Sequence, residues 1–239
     1  MIKASRLFPR LWITVVICLY AGTGAQAGLM DIAGLTDDRQ VSADGSMPWI
    51  GQPTARVGGG STLDSAFVMV FQLPALAPGE MISSATLTFN YSALANTPTG
   101  NADLYGLGYT ADPAVLGTDF YGGVFGGDLT DATALQDDIL VLTSPTGAVT
   151  TDVTGSTNLA AHLAEQYSLG AIGGDYVKLR LSIDVDDETS YYYYTVSTAN
   201  SIPPVLSIET SVVPEPATCG LILGFGILGL VLWRRRRGS

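Results

Sequence analysis

Tyr176-Val-Lys-Leu-Arg-Leu-Ser-Ile-Asp-Val185 decides the fold class. Its apolar residues fall at every second position, with Val177, Leu179, Leu181, Ile183 and Val185 on one side and Lys178, Arg180, Ser182 and Asp184 on the other. Successive side chains of a strand point to opposite faces, so the period of two predicts a strand with one face in a core and one in water. Ser84 to Tyr91 repeats the pattern: Ala85, Leu87, Phe89 and Tyr91 point inward, and Ser84, Thr86, Thr88 and Asn90 outward. Ala66 to Phe71 is apolar throughout, as a central strand covered on both faces should be.

Further strands are predicted at Arg39 to Ala43, Thr54 to Val57, Ala102 to Tyr109, Ile139 to Thr143, Ala148 to Val153, Tyr191 to Ser197 and Val205 to Thr210. About ten strands without a βαβ rhythm point to an all-β fold, a two-sheet antiparallel sandwich of jelly-roll type. One short helix is expected at Asn158 to Tyr167. Leu159, Leu163 and Gln166 share a side there, Ser156 or Thr157 stands at the N-terminus, and Gly170 lies just past the end. Asp112 to Asp138, with its Gly122-Gly123 and Gly126-Gly127 pairs, reads as a long irregular loop.

Both ends of the chain differ from this middle. Lys3, Arg6 and Arg10 precede the apolar stretch Leu11 to Tyr20, and Ala25-Gln26-Ala27 forms a small-residue cleavage site. Residues 1–27 therefore read as a secretory signal peptide, with Gly28 as the mature N-terminus. At the other end Val213-Pro-Glu-Pro-Ala217 is followed by an apolar run to Trp233 and then Arg234, Arg235, Arg236 and Arg237. A helix over 217–233 is near the minimum that spans a bilayer. The four arginines hold their side of it in the cytoplasm and the preceding chain outside. The domains expected are thus a leader at 1–27, a β-sandwich at 28–211 and a C-terminal signal at 212–239.

The order Val213, Pro214, Glu215, Pro216, Ala217, short hydrophobic helix, arginine cluster resembles the PEP-CTERM sorting signal of exopolysaccharide-producing bacteria. That resemblance implies an exosortase as partner, acting on this chain as its substrate near the Pro-Glu-Pro motif, with passage through the inner membrane and a final place at the cell surface or in the extracellular matrix. A second resemblance covers most of Gly28 to Thr210. Ala66 to Leu73, Pro78 to Leu87, Asp152-Val153-Thr154 before a helix and the proline-led Pro203 to Ile208 look like DNRLRE-type jelly-roll modules, whose relatives bind carbohydrate. It implies a polysaccharide ligand.

Charge and composition narrow the chemistry. Of the 11 basic residues only Arg39, Arg56, Lys178 and Arg180 lie between leader and tail, whereas all 22 acidic residues follow the leader. So acidic a surface repels nucleic acid and anionic lipid, which excludes a nucleic-acid partner. Cys18 and Cys219 sit in the two apolar ends, leaving the middle no disulfide, and His162 is the one histidine. Zinc sites, cysteine nucleophiles and Ser-His-Asp triads lack their parts. The chain reads as a non-enzyme with no required cofactor. A glycan hydrolase needs only two facing carboxylates and stays open as an alternative.

Two clusters are candidate binding residues. Asp184, Asp186, Asp187 and Glu188 gather carboxylates at a strand end, where they could hold calcium, which takes six to eight oxygens. Asp128 and Asp131 form a poorer second set. In Tyr191 to Tyr194, alternate rings of a strand face opposite sides, so Tyr192 and Tyr194 are candidates for an exposed sugar-stacking pair. The plainer reading of the same run, and the one favoured, has both faces covered with the hydroxyls reaching the rim.

Overall fold

The computed structural model describes residues 28–47, 51–59, 64–95, 100–120, 132–183 and 193–212. They contain eleven strands: β1 Gly28–Ala33, β2 Arg39–Ser42, β3 Thr54–Gly59, β4 Asp64–Gln72, β5 Glu80–Ala95, β6 Ala102–Gly106, β7 Thr133–Leu140, β8 Gly147–Thr150, β9 Tyr176–Ile183, β10 Tyr193–Ser197 and β11 Val205–Val212. One α-helix, α1 Val153–Ser168, separates β8 from β9, and Gly117–Asp119 makes a single 3-10 turn. The fold is therefore all-β with one helix. Leu29–Leu76 and Ile82–Thr210 form one compact unit, which contains every buried apolar residue among those described. Of the other unit, the described residues are Gly28, Ala77–Met81 and Ser211–Val212. In its turn the Ala77 N–H donates to Glu80 Oε2 at 2.7 Å.

The strands follow one hydrogen-bonded path, β1-β11-β5-β10-β3-β4-β9-β6-β7, with β2 added against β4 and β8 against β5. Where two packed sheets are predicted, the structure has one antiparallel sheet that curls over a shared core. β3 makes the join. Thr54 to Val57 pair with β10, while Gly58 and Gly59 pair with Ser65 and Asp64 of β4. A strand can pass from one half to the other only by bending, and Gly58 supplies the bend at φ +135°, a backbone conformation that a Cβ disfavours.

The inward residues of both halves meet in one cluster: Leu87, Phe89 and Tyr91 of β5 and Leu206 and Ile208 of β11 with Phe67, Met69 and Phe71 of β4 and Leu179 and Leu181 of β9. Full burial of such a side chain stabilises the fold by about 1.5–3 kcal/mol. The in-register pairs Phe67/Leu181, Met69/Leu179 and Phe71/Val177 show how the period-two pattern becomes packing. Leu159 and Leu163 of α1 close the cluster, as their spacing predicts.

Four sequence expectations need correction. Lys178, Arg180 and Ser182 are not wet; they are 2%, 1% and 3% exposed. Residues 107–120 cover that face of β9, forming a second cluster in which Leu107 and Val115 pack with Val41, Val68 and Val70. The helix begins at Val153, five residues before the predicted start, because Asp152 Oδ1 accepts the Gly155 N–H at 2.7 Å and caps it instead of Ser156 or Thr157. The stretch expected as loop holds the 3-10 turn and most of β7, which ends rather than begins near Ile139. Finally, β1 is a strand that the sequence reading left unassigned.

The covered face of β9 is held by charge. Lys178 Nζ donates to Asp119 Oδ2 at 3.0 Å and to the Ala114 carbonyl at 2.7 Å. Arg180 Nη1 donates to the Asp119 carbonyl at 3.0 Å, and its guanidinium carbon lies 5.0 Å from the centre of the Tyr105 ring. The Leu116 N–H also donates to Asp119 Oδ2, at 2.8 Å, fixing the carboxylate. Removing Asp119 strands a buried cation, so Asp119→Ala should cost about 3 kcal/mol in urea unfolding. The double variant Lys178→Met/Asp119→Leu, which removes both charges, should cost less. A single variant as stable as the parent would refute the role given to this pair.

Candidate functional site

Three places in the described residues gather polar or titratable groups. The first is a groove of about 620 Å³ between the start of β5 and α1, lined by Ile82, Ser83, Ser84, Thr151, Ser156 and Ala160 among others. Its walls are hydroxyls and methyls. Asp152 is the one ionisable residue on it, and that carboxylate is occupied capping α1. The hydroxyls also have partners: Ser84 Oγ donates to Glu209 Oε2 at 3.0 Å, and Ser156 Oγ lies 2.9 Å from Thr151 Oγ1. The groove holds no facing acid and base.

The second place is a carboxylate cluster. Oxygens of Asp103, Asp137 and Asp138 lie within 4.8 Å of one another, Asp103 buried and the other two exposed. Asp103 Oδ1 accepts the Asp138 N–H at 2.8 Å and its Oδ2 accepts the Tyr105 hydroxyl at 3.3 Å. Oδ1 thereby holds the irregular end of β7, where Asp138 adopts φ 54°, while Oδ2 is tied to Tyr105 of its own strand. The sequence reading missed this cluster, since Asp103 is remote from the other two in the chain. The predicted calcium residues Asp184, Asp186, Asp187 and Glu188, and the second set Asp128 and Asp131, lie outside the described residues.

His162 is the third. Rather than standing on the surface or partly packed, it is 2% exposed on the inner side of α1. Its Nε2 lies 3.1 Å from the Leu107 carbonyl, and because a carbonyl only accepts, Nε2 carries the proton. Gly106 leaves room for the ring: a Cβ there would stand 2.5 Å from Nε2. Burial lowers the imidazole pKa, opposed by the Leu107 bond and the Glu165 charge. The ring packs and anchors, with Nδ1 buried and without a hydrogen-bond partner among the described residues.

The tyrosine run divides. Tyr192 lies outside the described residues. Tyr194 is not a surface ring: it is fully buried, meets Tyr91 edge-on at 5.9 Å and donates from its hydroxyl to the Gly100 carbonyl at 3.2 Å. Its place between Val57 of β3 and Leu94 of β5 puts it inside the curl of the sheet. Tyr193 faces the other way and is half-buried, with the Arg56 guanidinium 4.5 Å from its ring centre. Further along β5, Asn90 donates to Ser197 Oγ at 2.9 Å, Ser92 to the Thr195 carbonyl at 3.0 Å, and Thr88 Oγ1 lies 2.9 Å from Thr150 Oγ1. This outer face is rich in hydroxyls.

β11 closes the described chain at Val212. Beyond it lie the Pro-Glu-Pro residues, the apolar run and the arginines, and there the comparison with known proteins is decisive. Residues 212–237 match the PEP-CTERM protein-sorting motif. No curated protein matches the chain significantly. The motif marks an exported protein that is anchored transiently in the membrane and is a substrate for an exosortase. Pro214, Glu215, Pro216 and Arg234 to Arg237 all fall within the matched stretch. The expected membrane helix, 217–233, lies outside the described residues; among those described, no helix is long and apolar enough to cross a membrane.

One buried carboxyl gives the domain a pH response. Asp38 is 4% exposed and its Oδ2 accepts the Ala199 N–H at 2.7 Å. Burial pushes its pKa up to about 6, opposed by the Ala199 bond and assisted by the charge of Asp37. A carboxyl raised above its ordinary 3.8 binds its proton more tightly when folded. Its contribution to stability is therefore full at acid pH and is lost as pH rises toward 6. Urea midpoints measured from about pH 4 to about pH 6 should show that decline in the parent and a flatter profile in Asp38→Asn. Identical profiles would remove Asp38 as the cause.

Proposed function

We propose that this chain is a non-catalytic surface or matrix-associated β domain of an exopolysaccharide-producing bacterium, delivered by its sorting tail. The observation that carries the reading is the junction at Val212, where β11 ends and the sorting motif begins. Every core residue among those described precedes that point, which supports a tail that can be cut or transferred without disturbing the fold. The sole histidine is committed to the Leu107 carbonyl and the groove has one ionisable residue, which supports a binding or structural role over hydrolysis. Pro214→Ala/Glu215→Ala/Pro216→Ala should accumulate at full length in the membrane, whereas the parent is shortened near the motif. A chain ended at Val212 should be released with an unchanged melting temperature. Parent and triple variant of equal mass in native cells would refute exosortase processing.

A second reading, carbohydrate binding, is favoured by Tyr193 rather than by the pair the sequence suggests. Its ring stands on the hydroxyl-bearing outer face beside Arg56, and an aromatic with a polar tip suits a sugar's mixed surface. In affinity electrophoresis through the host's polysaccharide, the parent should be retarded and Tyr193→Ala should lose that retardation. Equal mobility of the two with and without polysaccharide would end this reading.

A further inference from the structure

We propose that the groove between the start of β5 and α1 binds an uncharged, polyhydroxylated ligand, a short run of neutral sugar units, and turns acidic sugars away. The proposal rests on the carbohydrate reading above but not on Tyr193, which pairs with Ala95 at the far end of β5. The groove is a seam left by the fold. β8 runs beside β5 from Thr88 to Tyr91, and the next pair closes that ladder: the Thr151 N–H donates to the Leu87 carbonyl at 3.0 Å and the Leu87 N–H to Thr151 Oγ1 at 3.2 Å. The chain then turns at Asp152 into α1, so a helix instead of a strand faces Ile82 to Ser84 across the groove. That helix presents small residues, Ala160, Ala161 and Ala164, which leave about 620 Å³ open. Small-molecule sites span roughly 300–1,000 Å³.

The direction of the hydroxyl hydrogens selects the ligand. Ser83 Oγ donates to the Glu209 carbonyl at 3.1 Å and Ser84 Oγ to Glu209 Oε2 at 3.0 Å. Thr157 Oγ1 donates to the Val153 carbonyl at 2.8 Å. Ser156 Oγ donates to the Thr151 carbonyl at 3.3 Å, so it is the acceptor of the Thr151 hydroxyl 2.9 Å away. All five hydroxyls therefore commit their hydrogens within the protein and offer a ligand lone pairs alone. Asp152 adds a further acceptor, and the Glu209 carboxylate stands behind Ser84.

Such a wall sorts ligands by what they can donate. A carboxylate, sulfate or phosphate brings only more acceptors and a charge of the wrong sign. A hydrocarbon would bury the lone pairs without partners. A peptide carries as many carbonyls as N–H groups, and its carbonyls would meet no side-chain donor here. A sugar hydroxyl rotates to donate, and the C–H face of the ring suits the methyls of Ile82, Val153 and the alanines.

The test uses the full-length chain in a zwitterionic detergent, which has no sugar head group to compete. Short oligosaccharides cut from the host's polysaccharide are split by anion exchange into neutral and acidic fractions, and the dissociation constant for each immobilised fraction is measured. The neutral fraction should bind at least about tenfold more tightly than the acidic one, a difference of one hydrogen-bonding or charge mismatch. Ala161→Trp, at an exposed position of α1, fills the groove and should weaken neutral binding about tenfold or more with an unchanged melting temperature. Thr157→Val keeps the shape, removes one acceptor and should weaken it about fivefold. Tyr193→Ala should leave fragment binding unchanged, even where it abolishes retardation by the whole polymer. An Ala161→Trp chain that binds neutral fragments as the parent does, or a parent that prefers the acidic fraction, would overturn the proposal and leave the Tyr193 reading standing. A parent that binds neither fraction would overturn it too, and retardation by the whole polymer then decides the Tyr193 reading separately.

Discussion

Two cations buried on the covered face of β9 constrain the rest of the architecture. Lys178 and Arg180 lie in the middle of a strand whose other face is the main core, so neither can reach water by swinging outward. Leaving such a charge unpaired costs several kcal/mol, more than a marginally stable domain can carry. The 114–120 segment answers this with two carbonyls and one carboxylate, all within 3.0 Å of a cationic nitrogen. Wherever β9 sits, that segment must sit over it. Its placement brings Val115 onto Val68 and Val70, which in turn covers the second face of β4. One charged rung thus makes two adjacent strands central to the sheet.

The sequence displayed the strands more clearly than it displayed what covers them. Period-two alternation at Tyr176 to Ile183 and Ser84 to Tyr91 survives in the structure with the predicted residues inward, because that pattern depends only on the strand's own geometry. The outward set was misread at Lys178 and Arg180 for a different reason. A lysine or arginine on the polar side of a strand looks solvated until a segment some sixty residues away supplies its partners. β7 was legible only at its end, since Gln136, Asp137 and Asp138 interrupt any apolar alternation. Its register against β6 shifts twice, so it follows no clean period. The early start of α1 hinges on Asp152, whose capping role competes in sequence with the strand signal of Ala148 to Val153.

The candidate sites show the same division. Tyr194 and Tyr193 are adjacent, yet one lies in the core and the other on the outer face, as alternation requires; which of them faces outward depends on the register against Val57 and Leu94. The sequence fixes the period of such a run but not its phase. His162 became a packing residue because Gly106 opposite it has no side chain, a complementarity that no local pattern contains. The tail behaves otherwise. It is recognised as a linear order of unlike parts, so it was fully legible without a fold.

That contrast follows from what each part has to do. An address is presented to another protein as a short segment, so its information is local, whereas the domain it carries depends on contacts between distant segments. The two meet at β11, and its position in the sheet matters. Being flanked by β1 and β5, β11 is paired along both sides. β1 covers an edge of β11 that would otherwise offer unpaired backbone groups to other chains, with the Ser207 hydroxyl donating to Asp31 and, just past the two strands' ends, the Gly34 N–H to the Pro204 carbonyl. The first described strand therefore secures the last.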